Sequence, residues 1–290
     1  MDKEYIEAGY DDNIILFRWD ITDICQYDCS YCYALNNQLV SSNKEKHNNI
    51  IKLVLNKIKT IKEDFEIELV GGEPTMYDKL EEVLSFLNDF EFCKKIILVS
   101  NYYKENEYFE NLVKYKKLFF TFSYYLEYDN KFINKLNNIK IIEDRITITV
   151  NIHDNKKYSN KINDIINYIN STNFKFDINF LFNSYKYIVN YDENYKNEYY
   201  KNEYSYIPHK YIQNGIIENE NVYYKTAFGF NYRGWTCEPL IFTIDVFGEI
   251  MNVCSKERFI KLNNLRKKMS CKYDGCNCFK KQIYKKVKNG

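Results

Sequence analysis

The 290-residue sequence predicts an α/β fold, namely a partial, TIM-like (β/α)6 barrel followed by a small C-terminal subdomain with a β-hairpin and a helix. Short runs of β-branched and aromatic residues alternate with longer stretches of helical periodicity, which is the pattern of consecutive βα units. Right-handed crossovers would place these units side by side and curl them into an open barrel. Ligands of such a fold are expected at the carboxyl ends of the strands.

The strands and helices of the barrel are predicted from hydrophobic periodicity. The six strands are expected at residues 14–19, 66–70, 95–100, 118–123, 145–152 and 174–182. The helices between them are expected at residues 43–63, 78–90, 104–116, 129–138 and 160–171, several with apolar residues at spacings of three and four.

The character of the chain changes after residue 182. Residues 183–222 are polar and tyrosine-rich, and we interpret them as a helix with a long loop. From residue 223 a hairpin is predicted, because FTIDV and EIMNV flank Phe247-Gly248 and glycine can take the positive φ of a tight turn. We therefore divide the chain into a core, residues 1–222, and an auxiliary region, residues 223–290. The tail, residues 280–290, is interpreted as a solvated helix end or a disordered segment.

Composition narrows the class of protein. Lys plus Arg (41) and Asp plus Glu (40) nearly cancel, so nucleic acid is not an expected partner. No apolar run approaches the roughly 20 residues that span a bilayer, and the N-terminal segment is too acidic for a signal peptide. We therefore expect no membrane partner and a cytoplasmic location. Nine cysteines in that reducing compartment indicate metal binding rather than disulfides.

Eight of the nine cysteines fall into two groups, and Cys93 stands apart as a small buried hydrophobe. The front group is Cys25, Cys29 and Cys32 in ICQYDCSYCY, directly after the first strand. Three thiolates on one short loop can bind three irons of a 4Fe-4S cluster and leave the fourth iron open to a small molecule. The alternative is structural zinc, which needs a fourth ligand, and His47 lies a helix away.

The front loop resembles the signature of the radical S-adenosylmethionine (SAM) superfamily, CxxxCxxC with an aromatic residue before the last cysteine, here Tyr31. The resemblance implies a 4Fe-4S cluster whose open iron chelates SAM, with Tyr31 near the adenine. It implies reductive cleavage of SAM to a 5′-deoxyadenosyl radical that abstracts hydrogen from a substrate. A reductant such as flavodoxin or ferredoxin would be the partner.

A second motif follows the second strand, where IELV leads into Gly71, Gly72, Glu73 and Pro74. Two glycines let the backbone approach a ligand closely, and Glu73 offers an acceptor for an ammonium group. The resemblance implies that this ammonium belongs to the SAM methionine. Taken alone, the motif could also be a strand-to-helix turn in which Pro74 opens the next helix.

Polar side chains end three further strands: Ser100 and Asn101, then Ser123, then Asn151. The resemblance implies contacts with the ribose or carboxylate of SAM at these positions. The alternative is that they cap helices. The chain departs from the family at Ser123, which precedes Tyr124-Tyr125 instead of the usual Asp-Gly.

The rear cysteines resemble the start of a SPASM extension or its shorter form, twitch. Cys237 and Cys254 flank the predicted hairpin, and CKYDGCNC supplies Cys271, Cys276 and Cys278. Four thiolates would complete one auxiliary cluster, expected to be of the 4Fe-4S type, so one of the last three cysteines is spare. A zinc tetrahedron built from the same residues is the alternative.

The resemblance specifies the cofactor better than the substrate. We expect oxidation or rearrangement of a small metabolite or a peptide side chain, assisted by the auxiliary cluster, and no residue is identified as a catalytic acid or base. A peptide maturase that forms crosslinks or thioethers is the second hypothesis, although no peptide-recognition domain precedes the first strand. The third is a non-catalytic, metal-stabilised binding protein, in which the GGEP turn would have no purpose.

Overall fold

A computed structural model of the chain describes residues 5–7, 14–29, 32, 40–128, 131–152, 159–180, 210–213, 216–218, 233–238, 240–252, 258–259, 262, 265–266, 268–271 and 286–287. The strands are β1 (Tyr5–Glu7), β2 (Ile15–Thr22), β3 (Phe65–Gly71), β4 (Cys93–Ser100), β5 (Leu118–Tyr125), β6 (Ile146–Ile152), β7 (Lys175–Phe180), β8 (Lys210–Gln213), β9 (Ile216–Glu218), β10 (Thr236–Cys237), β11 (Ile241–Ile244), β12 (Ile250–Asn252), β13 (Arg258–Phe259), β14 (Met269–Ser270) and β15 (Lys286–Val287). The α-helices are α1 (Lys44–Ile58), α2 (Leu80–Asp89), α3 (Asn106–Leu112), α4 (Phe132–Asn137) and α5 (Ser159–Asn170).

The main sheet has the strand order β13-β12-β11-β2-β3-β4-β5-β6-β7. The strands β2 to β7 are parallel, each follows its neighbour in sequence, and a helix connects each pair. This succession of six βα-type strands is the predicted partial barrel. The predicted strand and helix positions are confirmed for all six strands and all five helices.

Alternation along the strands separates two faces of the sheet. In β2, Ile15, Phe17 and Trp19 are fully buried, and they belong to one cluster with the buried side of α1, including Val54 and Ile58. The ring of Phe17 meets the edge of Phe65 at 5.4 Å. The helices therefore cover this face, and its apolar packing holds the strands in register.

The opposite face of the sheet is half-buried and carries charged and hydroxyl groups beside apolar residues such as Ile97 and Phe119. Arg18 lies in register with Glu68 on the neighbouring strand, and the two side chains form an ion pair of 3.7 Å. Thr121 and Thr147 are likewise in register and half-buried. In a parallel sheet that curls away from its helices, this face lines the interior of the barrel. The interior of this barrel is consequently charged and hydroxyl-rich.

The predicted hairpin is confirmed, and it extends the main sheet. Strand β11 pairs parallel with β2, with Phe242 opposite Phe17, and antiparallel with β12. Gly248 in the turn has a φ of 75°, as predicted. The Lys57 side chain of α1 donates to the Gly248 carbonyl at 3.0 Å. The hairpin is thus attached to the barrel through both backbone pairing and α1.

A smaller sheet, with the order β14-β10-β15-β1-β8-β9, was not predicted. Strands β8 and β9 lie in the segment interpreted as a helix and loop, and β15 lies in the tail interpreted as a helix end or disordered. These strands have two to four residues, too few to show a period of two. One signal was available, because Asn-Gly at 214–215 separates the antiparallel strands β8 and β9.

The α-helices in the described part of the chain have 6 to 15 residues. No helix there combines the length and the apolar character needed to cross a bilayer.

Candidate functional site

The front cysteines lie where the sequence predicts, at the carboxyl end of β2. Cys29 is buried, whereas Cys25 and Cys32 are partly exposed. The Cys32 amide donates to the Cys29 carbonyl at 3.0 Å, which closes a tight turn between the last two cysteines. The neighbouring aromatic position, Tyr31, lies outside the described residues.

The two ends of the cysteine loop are tied together by Asp23, which sequence reasoning did not identify. Its buried carboxylate accepts hydrogen bonds from the amides of Val40 at 3.0 Å and Ser41 at 3.1 Å. The hydroxyl of Thr22 adds a bond to the Ser41 hydroxyl at 3.1 Å. Residues 22 and 23, which precede the cysteine segment, are therefore fixed to residues 40 and 41, which follow it.

The glycine turn packs directly on this loop. An added Cβ at Gly71 would lie 2.2 Å from the Thr22 carbonyl oxygen, and one at Gly72 would lie 2.3 Å from the Ile24 carbonyl oxygen. The Gly72 and Glu73 amides donate to these same carbonyls, each at 2.7 Å. The close approach that the glycines permit is thus to the cysteine loop itself. The predicted approach to a ligand stays a prediction.

Glu73 is a fully buried carboxylate that joins the turn to the end of β4. Its Oε1 accepts from the Thr75 amide at 3.1 Å, the Thr75 hydroxyl at 2.5 Å and the Ser100 hydroxyl at 2.8 Å. Its Oε2 accepts from the Asn101 amide at 2.7 Å. Burial raises the pKa of Glu73, and these donors oppose that rise. Its predicted contact with an ammonium group stays a prediction.

Pro74 begins a short 3-10 helix, Pro74–Met76, whose first turn is capped by the Glu73 side chain. The α-helix α2 starts later, at Leu80. The motif is therefore also a strand-to-helix turn, as the alternative interpretation proposed. Capping and the bonds from Ser100 and Asn101 use both oxygens of the Glu73 carboxylate, so a ligand role of this side chain stays a prediction.

The other predicted strand-end residues, Ser100, Asn101, Ser123 and Asn151, are all buried. The N-caps of the helices that follow β4 and β5 are Glu105 and Lys131, so Ser100, Asn101 and Ser123 do not cap them. Ser123 instead hydrogen-bonds Tyr125, and the Asn151 side chain donates to the Tyr124 carbonyl at 3.5 Å. Their contacts with SAM stay predictions, whereas the capping alternative does not hold for the first three.

The Cys25 sulfur receives two hydrogen bonds. The Tyr27 amide donates at 3.4 Å, and the Asn101 side-chain amide donates at 3.7 Å. Burial raises the pKa of the Cys25 thiol, while both donors act in the opposite direction by stabilising the thiolate. Donors aimed at a sulfur are the arrangement that a metal-bound thiolate uses.

Three tyrosines join the cysteine loop to the end of β5. This contact was not predicted from the sequence. The Tyr27 ring stacks on Tyr128 at 4.4 Å and meets the edge of Tyr125 at 6.2 Å. The Tyr128 hydroxyl accepts from the Asp28 amide at 3.2 Å. Burial, then the neighbouring Cys29, raises the pKa of Tyr125. The aromatic group consequently covers one side of the loop between its first two cysteines.

The front loop offers three thiols, which as thiolates are the ligands that a 4Fe-4S cluster takes at its irons. One ion with three thiolate ligands at about 2.3 Å needs the sulfurs within about 4 Å of one another. No group of three His, Cys, Asp or Glu side chains in the described residues could hold one ion. A 4Fe-4S cluster binds each cysteine to a different iron and so spaces the sulfurs more widely.

Two rear cysteines are described. Strand β10 pairs antiparallel with β14, which places Cys237 opposite Met269, and the Cys271 amide donates to the Trp235 carbonyl at 2.8 Å. Because Cys271 follows Met269 by two residues, Cys237 and Cys271 share one face of this ribbon as diagonal neighbours. Cys254, Cys276 and Cys278 lie outside the described residues.

Cys93 and His47, neither of which was predicted to be a metal ligand, have structural roles. Cys93 is fully buried, as predicted, and burial raises the pKa of its thiol to about 12. His47 is buried and hydrogen-bonded, and its Nε2 lies 2.7 Å from the Ile21 carbonyl oxygen. Neither residue contributes to the front site.

The comparisons with known proteins identify the class to which this fold and site belong. The sequence profile described as the Radical SAM superfamily matches residues 19–172, which is more than half of the chain. The chain therefore belongs to the radical SAM superfamily. Membership implies a 4Fe-4S cluster and SAM as cofactors.

One curated relative is the S-adenosylmethionine-dependent nucleotide dehydratase of Fibrobacter sp. (strain UWH6). It is 30% identical over 90 residues, which cover 29% of this chain and 26% of the relative. The chain thus matches about a quarter of the length of that protein.

Solved structures confirm the fold. Native anSMEcpe with bound AdoMet has a TM-score of 0.53 at 14% identity, covering 88% of this chain and 78% of that chain. Native anSMEcpe with bound AdoMet and Cp18Cys peptide has a TM-score of 0.50 at 15% identity, with the same coverage of 88% and 78%. At these identities the likeness concerns the partial barrel and not the substrate.

Proposed function

We propose that the chain is a radical SAM enzyme that removes a hydrogen atom from a polar substrate. When bound, the cluster supplies one electron to cleave SAM into methionine and a 5′-deoxyadenosyl radical, which abstracts the hydrogen. The observation that carries the proposal is the position of the segment with Cys25, Cys29 and Cys32 directly after the carboxyl end of β2, where the glycine turn hydrogen-bonds Thr22 and Ile24. This end of the strands is where barrel enzymes hold their ligands.

The cofactor-binding residues are proposed one by one. Cys25, Cys29 and Cys32 would each hold one iron, and Tyr31 would lie near the adenine. The turn of Gly71, Gly72, Glu73 and Pro74 would receive the methionine end of SAM, and Ser100, Asn101, Ser123 and Asn151 would hydrogen-bond its ribose or carboxylate. Because Glu73 is fully buried, a small opening of its cover would have to precede contact with the ammonium group. In the structure, the Glu73 carboxylate orients Ser100 and Asn101 by accepting a hydrogen bond from each.

The polar interior of the barrel supports a polar substrate. Arg18, Glu68 and the hydroxyl groups of Thr121 and Thr147 lie on the face opposite the helices. Such groups would be poorly matched to a purely hydrocarbon substrate, because they would lose water without gaining partners. Small metabolites fit this interior, and nucleotides are the first to test, given the name of the Fibrobacter relative. A peptide side chain is the second candidate.

We also propose an auxiliary cluster in residues 223–290. Its support is the register of β10 and β14, which makes Cys237 and Cys271 diagonal neighbours. Two of Cys254, Cys276 and Cys278 would complete the set. A zinc ion in the same place is the alternative to be tested.

The reductant is proposed to be a small one-electron carrier such as flavodoxin or ferredoxin. We also propose a cytoplasmic location, because nine thiols and oxygen-sensitive clusters need a reducing compartment.

The proposal is tested by anaerobic reconstitution with iron and sulfide. After addition of dithionite and SAM, 5′-deoxyadenosine is measured for the wild type, Cys29→Ala and Cys93→Ala. We expect product from the wild type and from Cys93→Ala, whose thiol lies in the core, and none from Cys29→Ala. A wild type that binds zinc in place of iron, or that leaves SAM intact when its clusters are fully loaded, would contradict the proposal.

A further inference from the structure

Asn101 holds one side-chain amide against the first cysteine of the loop. Its Nδ2 lies 3.7 Å from the Cys25 sulfur, and the Asn101 side chain is buried. The inference drawn from this contact rests on the proposed function, because it concerns the cluster that Cys25 would hold.

The orientation of the Asn101 amide is fixed by donors around its oxygen. The Tyr103 backbone amide donates to Oδ1 at 3.2 Å, and the Gln26 side chain donates to the same oxygen at 2.9 Å. A backbone N–H can only donate, so the oxygen must face Tyr103 and the NH2 group must face Cys25. The N–H···S contact is therefore a consequence of the whole network.

The backbone around Asn101 is held just as firmly. The backbone amide of Asn101 donates to the buried carboxylate of Glu73 at 2.7 Å. Tyr102, next in the chain, has a φ of 59°, the single positive value at a non-glycine residue in the described part of the chain. Strained backbone of this kind persists where the surroundings force it, and it is typical of functional sites.

The surroundings that hold Tyr102 are visible. Its ring stacks on Phe122 at 4.0 Å, its hydroxyl donates to Asn106 at 2.5 Å, and its amide donates to the Ser100 hydroxyl at 3.0 Å. The Lys135 ammonium lies over the same ring at 4.1 Å. This turn is thus preorganised, and it presents Asn101 to Cys25 without further rearrangement.

We propose that Asn101 sets the reduction potential of the SAM-binding cluster through its hydrogen bond to Cys25. On reduction, one electron passes from a low-potential donor to the cluster, and the negative charge on the sulfurs increases. An N–H donor stabilises that added charge and so favours the reduced state. Asn101 is a tuning residue, since it contacts a cluster ligand and takes no part in bond cleavage.

The effect is measured by redox titration of the reconstituted protein in the absence of SAM, followed by electron paramagnetic resonance of the reduced cluster. For Asn101→Ala we expect the reduced state to lose about tenfold in stability, which for a one-electron couple is about 59 mV towards lower potential. Asn101→Asp keeps the oxygen that accepts from Tyr103 and Gln26 but places a carboxylate against the thiolate. We expect a larger shift in the same direction.

Two control variants separate this role from others. Asn138→Asp makes the same amide-to-acid change at an exposed residue that follows α4, and it should leave the potential unchanged. Asn49→Asp makes that change at an exposed residue of α1, and it too should leave the potential unchanged. A role in binding SAM alone would alter SAM affinity and not the potential measured without SAM.

The outcomes distinguish the two proposals. If the wild type forms no iron-sulfur cluster, the proposed function fails. If it forms one and both Asn101 variants keep the wild-type potential at normal iron content, the tuning role of Asn101 is overturned while the proposed function stands. Should Asn101→Ala not retain iron, the isosteric Asn101→Asp variant decides the question.

Discussion

Gly71 and Gly72 act through contact between two pieces of backbone. At Gly72 a Cβ would lie 2.3 Å from the Ile24 carbonyl oxygen and 2.6 Å from the Ile24 carbonyl carbon. Both are backbone atoms, so neither can move away as the end of a flexible side chain could. Any side chain here must therefore push the cysteine loop away from the turn.

We predict that Gly72→Ala destabilises the protein by at least about 2 kcal/mol and reduces its iron content after reconstitution. The matched control is Gly234→Ala, where φ is 85° and no atom lies within 4 Å of the added Cβ. That variant should cost only the strain of positive φ, about 1–2 kcal/mol, and keep the iron of the front loop, because Gly234 pairs with the Cys271 backbone instead. Urea unfolding and iron analysis of both variants give the comparison. Equal iron content in the two would contradict the role assigned to Gly72.

Glu66 lies on the polar interior face, in register with Lys95. Burial raises its pKa, Glu68 adds to the rise, and Lys95 opposes it. The folded pKa thus lies above the ordinary value of 4.5, and the folded protein keeps a proton that the unfolded chain has lost. Stability from this group must fall as the pH rises from that value through the folded pKa.

We predict that Glu66→Gln removes this loss. Its urea midpoint relative to the wild type should rise between about pH 5 and about pH 7, where an ionised carboxylate costs most. Glu107 is an exposed residue of α3. The urea midpoint of Glu107→Gln should therefore change with pH over this range as that of the wild type does. Parallel curves for Glu66→Gln as well would show that burial does not control the titration of Glu66.

For single residues, the sequence predicted motifs of a few consecutive positions and did not predict contacts between residues far apart in the chain. The spacing of Cys25, Cys29 and Cys32 and the glycine turn are visible in a few consecutive letters. Asp23 binds residues 17 and 18 positions away, and Tyr27 stacks on a residue 101 positions away. No short motif carries such a contact, because it exists only once β2 and β5 have been placed in one sheet.

At the scale of elements, hydrophobic periodicity was sufficient for strands and helices of the barrel. β4 and β5 alternate between buried and half-buried positions, and the buried residues of α1 recur at spacings of three and four. The hairpin was predicted as part of a separate auxiliary region, but β11 continues the main sheet beside β2. Its pairing partner could not be read from the hairpin sequence, which specifies only the antiparallel pair.

The hairpin should accordingly contribute to the stability of the barrel. Phe242 is fully buried, and its ring lies 5.5 Å from that of Phe17 in β2. We predict that Phe242→Ala lowers the free energy of unfolding by about 3–5 kcal/mol. Phe247→Ala, at the 53% exposed tip of the same hairpin, should change it by less than about 1 kcal/mol. Similar losses in both variants would mean that the hairpin is not part of the core.

At the scale of the whole molecule, the barrel followed from the order of its elements, whereas the smaller sheet did not. The six parallel strands pair in sequence order, so the topology needs no long-range information beyond right-handed crossovers. The smaller sheet instead joins β1, near one end of the chain, to β15, near the other. Pairings between two- and three-residue strands so far apart are set by the closed fold and have no local signature.

The smaller sheet also brings Cys237 and Cys271 near each other, because β10 pairs with β14 and the Cys271 amide bonds the Trp235 carbonyl. If Cys237 and Cys271 hold one auxiliary cluster, removing either thiol should release that cluster and spare the front one. We predict that Cys237→Ser loses about four of about eight irons per chain and still cleaves SAM with dithionite as reductant. Cys93→Ser, another buried cysteine, should keep the full iron content. Undiminished iron in Cys237→Ser together with loss of zinc would establish a structural zinc ion at this place, and the chain would then be a radical SAM enzyme with a single cluster.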